Sequence, residues 1–266
     1  MLTFVRHYLL ALQFFSRVPV TGRLASWVGY SPAMLRASAA HFPGIGWLVG
    51  AICGGSAVLL PLALPQTPMS AMVAAVLVTI ASVLLTGAFH EDGLADVADG
   101  LGGSADRMRA LDIMKDSRIG AFGALALLLV ITLKLALLAV LWSVGPSVMG
   151  WALFAAHVVS RFFPLLLVRT MRHVGDEGRS KSKPLADQIS TASVLVACLW
   201  TLAALLLVIL AAPGIALAWP LAAATLACLW MWRWFRRRLQ GFTGDCLGAT
   251  QQICELAFYL GLVSTL

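Results

Sequence analysis

Charge is scarce in this 266-residue chain: 12% of its residues are Asp, Glu, Lys or Arg, against about 25% in ordinary soluble domains, while 60% belong to the apolar, aromatic and cysteine set. A soluble fold of this length must cover its surface with polar groups, and so few charges cannot do that. Water-soluble domains, disordered chains and coiled coils are thereby excluded. Cysteine is also sparse. Cys53, Cys198, Cys228, Cys246 and Cys254 form no C-x-x-C pair, which excludes the usual zinc, haem and disulfide patterns and leaves small apolar packing as their role. Internal repeats are missing, which weighs against a transporter built from duplicated halves. With a mean hydropathy of +0.89, the remaining class is an all-α polytopic membrane helix bundle.

A bilayer core needs about 20 apolar residues per helix. No charged residue occurs from Ala37 to Phe89, and Pro61, Pro65 and Pro68 divide that run into spans at 44–63 and 69–89. Further runs predict spans at 119–142, 148–168, 190–211, 214–232 and 246–266, giving seven in one domain, 1–266. Leu2 to Phe15 is apolar but short and interrupted by Arg6 and His7, so the N-terminal segment 1–40 is expected to carry an amphipathic helix that is interfacial or docked.

All lysines and arginines except Lys134 and Arg161 lie before 37 or in the segments 90–118, 169–189 and 233–245, whereas the turns 64–68, 143–147 and 212–213 have none. Basic residues collect on the cytoplasmic side, so an odd number of spans with a cytoplasmic N-terminus is expected. The net charge of +7 then reports topology first. Trp230, Trp232 and Trp234 before Arg236, Arg237 and Arg238 read as an interfacial anchor.

Topology does not account for the acids. Seven of the twelve, Glu91, Asp92, Asp96, Asp99, Asp106, Asp112 and Asp116, fall in the segment 90–118. Asp92, Asp96 and Asp99 are at i, i+4 and i+7, within about 60° of one another on a helix. Like charges on adjacent turns repel, and a bound cation reverses that sign. Oxygen ligands without organised Cys or His suit a hard ion such as Mg²⁺, which takes one or two carboxylates and substrate phosphates. Lys115 and Arg118, beside Asp112 and Asp116, add phosphate-binding cations. The rival reading is a solvated acidic loop with helix caps. Gly100, Gly102, Gly103 and Ser104 read as a flexible connection first and a phosphate cradle second. His90 is a ligand, a base or an interfacial residue. Asp245 either caps the last span or joins the site from across the bundle. Lys134 and Arg161 can snorkel, but Glu255 lies deep in its span and needs a partner or a cavity. Arg169, Arg172, Arg179, Lys181 and Lys183 either clamp a diphosphate or mark the inner face.

The stretch Gly87 to Gly123, with Phe89-His90-Glu91-Asp92-Gly93-Leu94-Ala95-Asp96, Asp99-Gly100 and Ile113-Met114-Lys115-Asp116-Ser117-Arg118-Ile119-Gly120, closely resembles the cobalamin synthase (adenosylcobinamide-GDP ribazoletransferase) family. Phe15-Ser16-Arg17-Val18-Pro19-Val20, Phe42-Pro43-Gly44-Ile45-Gly46 and Gly244-Asp245-Cys246-Leu247-Gly248-Ala249 extend the likeness along most of the chain. Ser16 and Ala121 depart from the family's frequent Thr and His. The resemblance implies an inner-membrane enzyme of late cobalamin biosynthesis with its active site on the cytoplasmic face. It would join adenosylcobinamide-GDP to α-ribazole, or α-ribazole 5′-phosphate, releasing GMP with Mg²⁺ as cofactor.

The expected roles follow from joining that chemistry to the carboxylate face. Glu91, Asp92, Asp96, Asp99 and Asp245 are expected to hold Mg²⁺; Lys115 and Arg118 to stabilise the leaving phosphate; Asp116 or His90 to take the hydroxyl proton. Arg172, Arg179, Lys181 and Glu255 are expected at the substrate. The partners expected are these substrates and the lipid bilayer, not nucleic acid, with self-association or association with other late cobalamin enzymes left open. One rival is a CDP-alcohol phosphotransferase, whose Asp-x-x-x-Asp spacing recurs at Asp92/Asp96 and Asp112/Asp116, although Asp96 stands where an Arg would follow Ala95. A cation transporter is less in keeping with acids gathered outside the spans.

Overall fold

The computed structural model describes residues 2–65, 67–175 and 189–266. Among the described residues the architecture is helical throughout: α1 Leu2–Phe15, α2 Gly22–Val28, α3 Pro32–Ser38, α4 Phe42–Leu59, α5 Pro68–Thr86, α6 Phe89–Gly103, α7 Arg107–Met114, α8 Ala121–Val144, α9 Pro146–Thr170, α10 Thr191–Ala211, α11 Ala218–Arg238 and α12 Gly244–Val263. Six of these runs, Pro32–Leu62 (which includes α3 and α4), α5, α8, α9, α10 and α12, are long and apolar enough to cross a membrane. The seventh expected span is α11, which has the length but is less apolar, its tryptophans and terminal arginines diluting the aliphatic run.

Local chemistry sets the boundaries. Pro68 and Pro146 sit in first turns, where a missing N–H costs nothing, and Ser31, Ser190 and Thr243 cap α3, α10 and α12 by accepting backbone N–H groups of Met34, Ser193 and Cys246. Between α5 and α6 two consecutive residues are left-handed, Gly87 at φ 68° and Ala88 at φ 57°. Both backbone N–H groups return to the Val83 carbonyl. That reversal aims α6 back into the bundle.

Helix α9 is the central pillar and the most deeply buried of the membrane runs. Gly46, Gly50 and Gly54 of α4 lie flat on it. A Cβ on Gly50 would stand 2.9 Å from the Phe154 Cα and one on Gly54 2.5 Å from the Gly150 carbonyl oxygen, while one on Gly46 would collide with the His157 carbonyl. Small residues at every fourth position let backbones pack this closely. On the outside, Leu195, Leu199, Leu202, Leu206 and Leu210 form an exposed stripe along α10, as a lipid-facing helix requires.

Two expectations change. The segment 90–118 is a helix pair, α6 and α7, and Gly100, Gly102 and Gly103 complete α6, Gly100 lying against Ala110 and Met114 of α7. Lys134 and Arg161 do not snorkel; they are 3% and 1% exposed inside the bundle. Helix α1 docks on the bundle through Leu10, Ala11, Leu12 and Phe15, and the Phe15 ring stacks on Phe42 at 4.3 Å.

Candidate active site

Helix α6 carries two polar faces. Asp92 is exposed and Asp96 half-buried on its outer edge, while His90 and Glu91 are buried on the inner one. Two glycines allow α12 to cross α6 closely. A Cβ on Gly93 would stand 2.8 Å from the Asp245 carbonyl oxygen, and one on Gly248 3.2 Å from the His90 backbone. Asp245 is not the cap of α12, because Thr243 fills that place; its Oδ2 accepts the Thr243 hydroxyl at 3.1 Å. Burial raises the Asp96 carboxyl to about 7, and the carboxylates of Asp245, Asp92 and Asp99 push the same way in falling order. Asp92, Asp96 and Asp245 thus share one electrostatic neighbourhood.

Asp99 has a different task. One of its oxygens accepts the Gly120 N–H at 2.7 Å and the other the Gly123 N–H at 2.8 Å, so it closes the N-terminus of α8. Glu91 is also set apart from the aspartates. Its Oε1 accepts the Gln252 amide at 3.1 Å and its buried Oε2 has no hydrogen-bond partner among the described residues. Among the described residues no three His, Cys, Asp or Glu side chains come together so that they could hold a metal ion as a group. A hard ion that keeps water and phosphate oxygens needs only one or two carboxylates, and the mutual repulsion around Asp96 is what such an ion relieves. The donors left for Mg²⁺ are therefore one or two carboxylates among Asp92, Asp96 and Asp245, rather than Asp99 or Glu91.

His90 lies between Phe42, stacked at 5.7 Å, and Phe89, and its buried Nε2 has no hydrogen-bond partner among the described residues. Burial, and after it the Arg161 guanidinium, pushes its imidazole well below the usual range, so it stands neutral. Asp116 and Arg118 pair with each other in the exposed segment after α7, at 2.6 Å, and the Arg118 guanidinium holds the Asp116 carboxyl down at about 2. Lys115 approaches Asp112 at 3.7 Å. Arg172 is exposed at the end of α9. The backbone there bridges to the lead into α12, the Phe242 N–H donating to the Arg172 carbonyl and the Val174 N–H to the Phe242 carbonyl. This brings the Arg172 segment beside the turn that bears Asp245. Arg179 and Lys181 lie outside the described residues.

Glu255 is completely enclosed. Lys134 Nζ donates to its Oε1 at 2.6 Å, as does the Tyr259 hydroxyl at 3.0 Å, and Gln251 donates to Oε2 at 2.7 Å. Its carboxylate is the hub of an internal network rather than a substrate contact. Gln251 also donates to Ser160 Oγ at 2.9 Å, and Gln252 donates to Gln251 Oε1 at 3.0 Å. Nearby, Arg161 donates to the His157 carbonyl at 2.8 Å and faces the Phe42 ring at 5.7 Å. Sequence reasoning missed Gln251, Gln252, Ser160 and His157. The available signal was a Gln-Gln pair one turn before Glu255 in an otherwise apolar final span, since polar groups at that depth are costly.

These features define an all-α multi-pass membrane protein with an acidic helix edge mounted on a buried ionic network. The chain belongs to the cobalamin-5-phosphate synthase family, whose model matches residues 7–263. It is 60% identical to the adenosylcobinamide-GDP ribazoletransferase of Albidiferax ferrireducens, covering 97% of this chain and 98% of the relative. The protein of the same name from Polaromonas naphthalenivorans is 58% identical over the full length of both, and that of Vibrio cholerae 43% identical over 97% of this chain and 94% of its own. No solved structure matches the chain.

Proposed function

We propose that this protein is an adenosylcobinamide-GDP ribazoletransferase, joining adenosylcobinamide-GDP to α-ribazole or α-ribazole 5′-phosphate and releasing GMP. The observation that carries the reading is near-complete overlap with relatives of that name at about 60% identity. The acidic edge of α6 supports it, because transfer at a diphosphate is mostly positioning and charge neutralisation. When bound, Mg²⁺ supplies that neutralisation, and Asp92, Asp96 and Asp245 would hold it. Lys115 and Arg118 bind the phosphate that departs with GMP. The ribazole hydroxyl oxygen bonds to the phosphorus attached to cobinamide, the bond from that phosphorus to GMP breaks, and the hydroxyl proton passes to His90 or Asp116. The Arg118 pair weakens Asp116 as an acceptor, as burial weakens His90. The site faces the cytoplasm in an inner membrane, in line with the distribution of basic residues.

The test is GMP release from adenosylcobinamide-GDP and α-ribazole, with and without EDTA. EDTA abolishes turnover and added Mg²⁺ restores it. Asp92→Asn and Asp96→Asn lower kcat by about 100-fold at ordinary Mg²⁺; wild-type turnover in both would remove the ligand assignment. CMP from a CDP-alcohol, or metal uptake into proteoliposomes without GMP, would replace the reading altogether.

A further inference from the structure

The acidic edge of α6 is open to solvent at Asp92, yet the residue beside it, Glu91, is turned inward and supported by a network of side chains from three other helices. Tracing donors and acceptors gives that network a direction. Lys134 of α8 donates to Glu255; Gln251 donates to the other oxygen of Glu255 and to Ser160 of α9; Gln252 donates both to Gln251 Oε1 and to Glu91 Oε1. Every group between Lys134 and Glu91 is buried. The Gln251 and Gln252 amides are fixed in orientation, because each donates its NH₂ to an acceptor and Gln251 takes the Gln252 NH₂ on its oxygen. Among the described residues Glu91 accepts this one side-chain hydrogen bond, at Oε1, and its buried Oε2 accepts none, although the Lys134 and Arg161 charges lie near enough to favour the carboxylate. A buried orphan acceptor costs about 1–3 kcal/mol, more when charged, and such a cost persists where function uses the atom.

We infer that Gln252 is a positioning residue for the proposed transfer: anchored through Gln251 to the Glu255–Lys134 pair, it fixes the Glu91 carboxylate so that Oε2 is reserved for the reacting complex. The inference rests on the proposed function and on α6 being the reaction site. Gln252 itself touches no reactant. It acts through Glu91, and that distinguishes it from a residue needed only for packing.

A double-mutant cycle on the detergent-solubilised full-length enzyme, read as kcat and KM for both substrates, tests this. Gln252→Leu keeps the volume and removes the donor. The expected result is a fall in kcat of about ten- to 100-fold with KM within about two-fold of wild type. Glu91→Gln lowers kcat at least as much, and the double variant falls no further than Glu91→Gln alone. Should Gln252→Leu lower the melting temperature, Gln252→Met carries the same comparison with a more adaptable side chain. Wild-type kcat in Gln252→Leu or Gln252→Met, or losses at 91 and 252 that multiply in the double variant, overturns the inference and leaves the activity standing. A wild-type enzyme that releases no GMP overturns the activity, and the inference with it.

Discussion

The Lys134–Glu255 pair is where single side chains weigh most. Both groups are buried, 2.6 Å apart, and neither reaches water. Removing one partner strands the other charge in a low-dielectric interior, whereas removing both leaves neutral groups of similar shape. Lys134→Met and Glu255→Gln are each expected to destabilise the protein by about 3–5 kcal/mol, and the double variant to recover most of that loss in SDS-titrated unfolding from mixed micelles. Additive losses would show that the pair is not the reason these residues are tolerated. Asp116 contrasts with this, being exposed and held near 2 by Arg118. Its folded value is depressed, so the pair's contribution is complete above the ordinary carboxylate range and is lost progressively as pH falls from there through about 2. Carboxyl ¹³C shifts of Asp116 will titrate with a midpoint of about 2, and a midpoint near the ordinary carboxylate value would remove the pair.

At the scale of helices, the contacts that position the site depend on glycine. Gly93→Ala places a methyl 2.8 Å from the Asp245 carbonyl oxygen and must push α6 away from α12. Its expected effect is a loss of activity of about ten-fold or more in protein that still purifies as a folded species. Gly55→Ala on α4 is the control. Nothing lies within 4 Å of its Cβ, so relief of glycine's helix penalty makes it neutral or stabilising by about 0.5–1 kcal/mol in the same unfolding assay.

Much at this scale was legible in the chain. Charge-free runs and proline breaks located the membrane helices, since an apolar length is a physical requirement that each span meets by itself. The carboxylate spacing located Asp92 and Asp96 on one edge for the same reason, one helix sufficing to define a face. Asp99 shared that periodicity but docks the start of α8, and Glu91 belongs to the inner side; both depend on which helix lies opposite, which spacing within one helix does not specify. Gln251 and Gln252 were harder still, because uncharged amides gain their meaning only from the partners that other helices bring.

For the molecule as a whole, basic segments alternate with uncharged turns along the sequence. That pattern predicts one fixed orientation. Single cysteines placed at Ser104 and at Arg237, in a background lacking the native five, are expected to react with an impermeant maleimide only from the cytoplasmic side, and one at Ser147 only from the opposite side. The reverse pattern would invert the protein and move the acidic edge across the membrane.

The buried ion pair also imposes an order on biogenesis. Lys134 and Arg161 emerge from the ribosome with α8 and α9, more than ninety residues before Glu255 arrives on α12. Until then the nascent bundle carries two cations at membrane depth without the acid that pairs with Lys134, with only Glu91 of α6 to offset a cost of about 2.5–3.5 kcal/mol each. The last helix brings that acid, Asp245 and the glutamines together, so structural closure and completion of the reaction site are one event. Chains halted before residue 244 should therefore be cleared by membrane quality control rather than accumulate as inactive bundles.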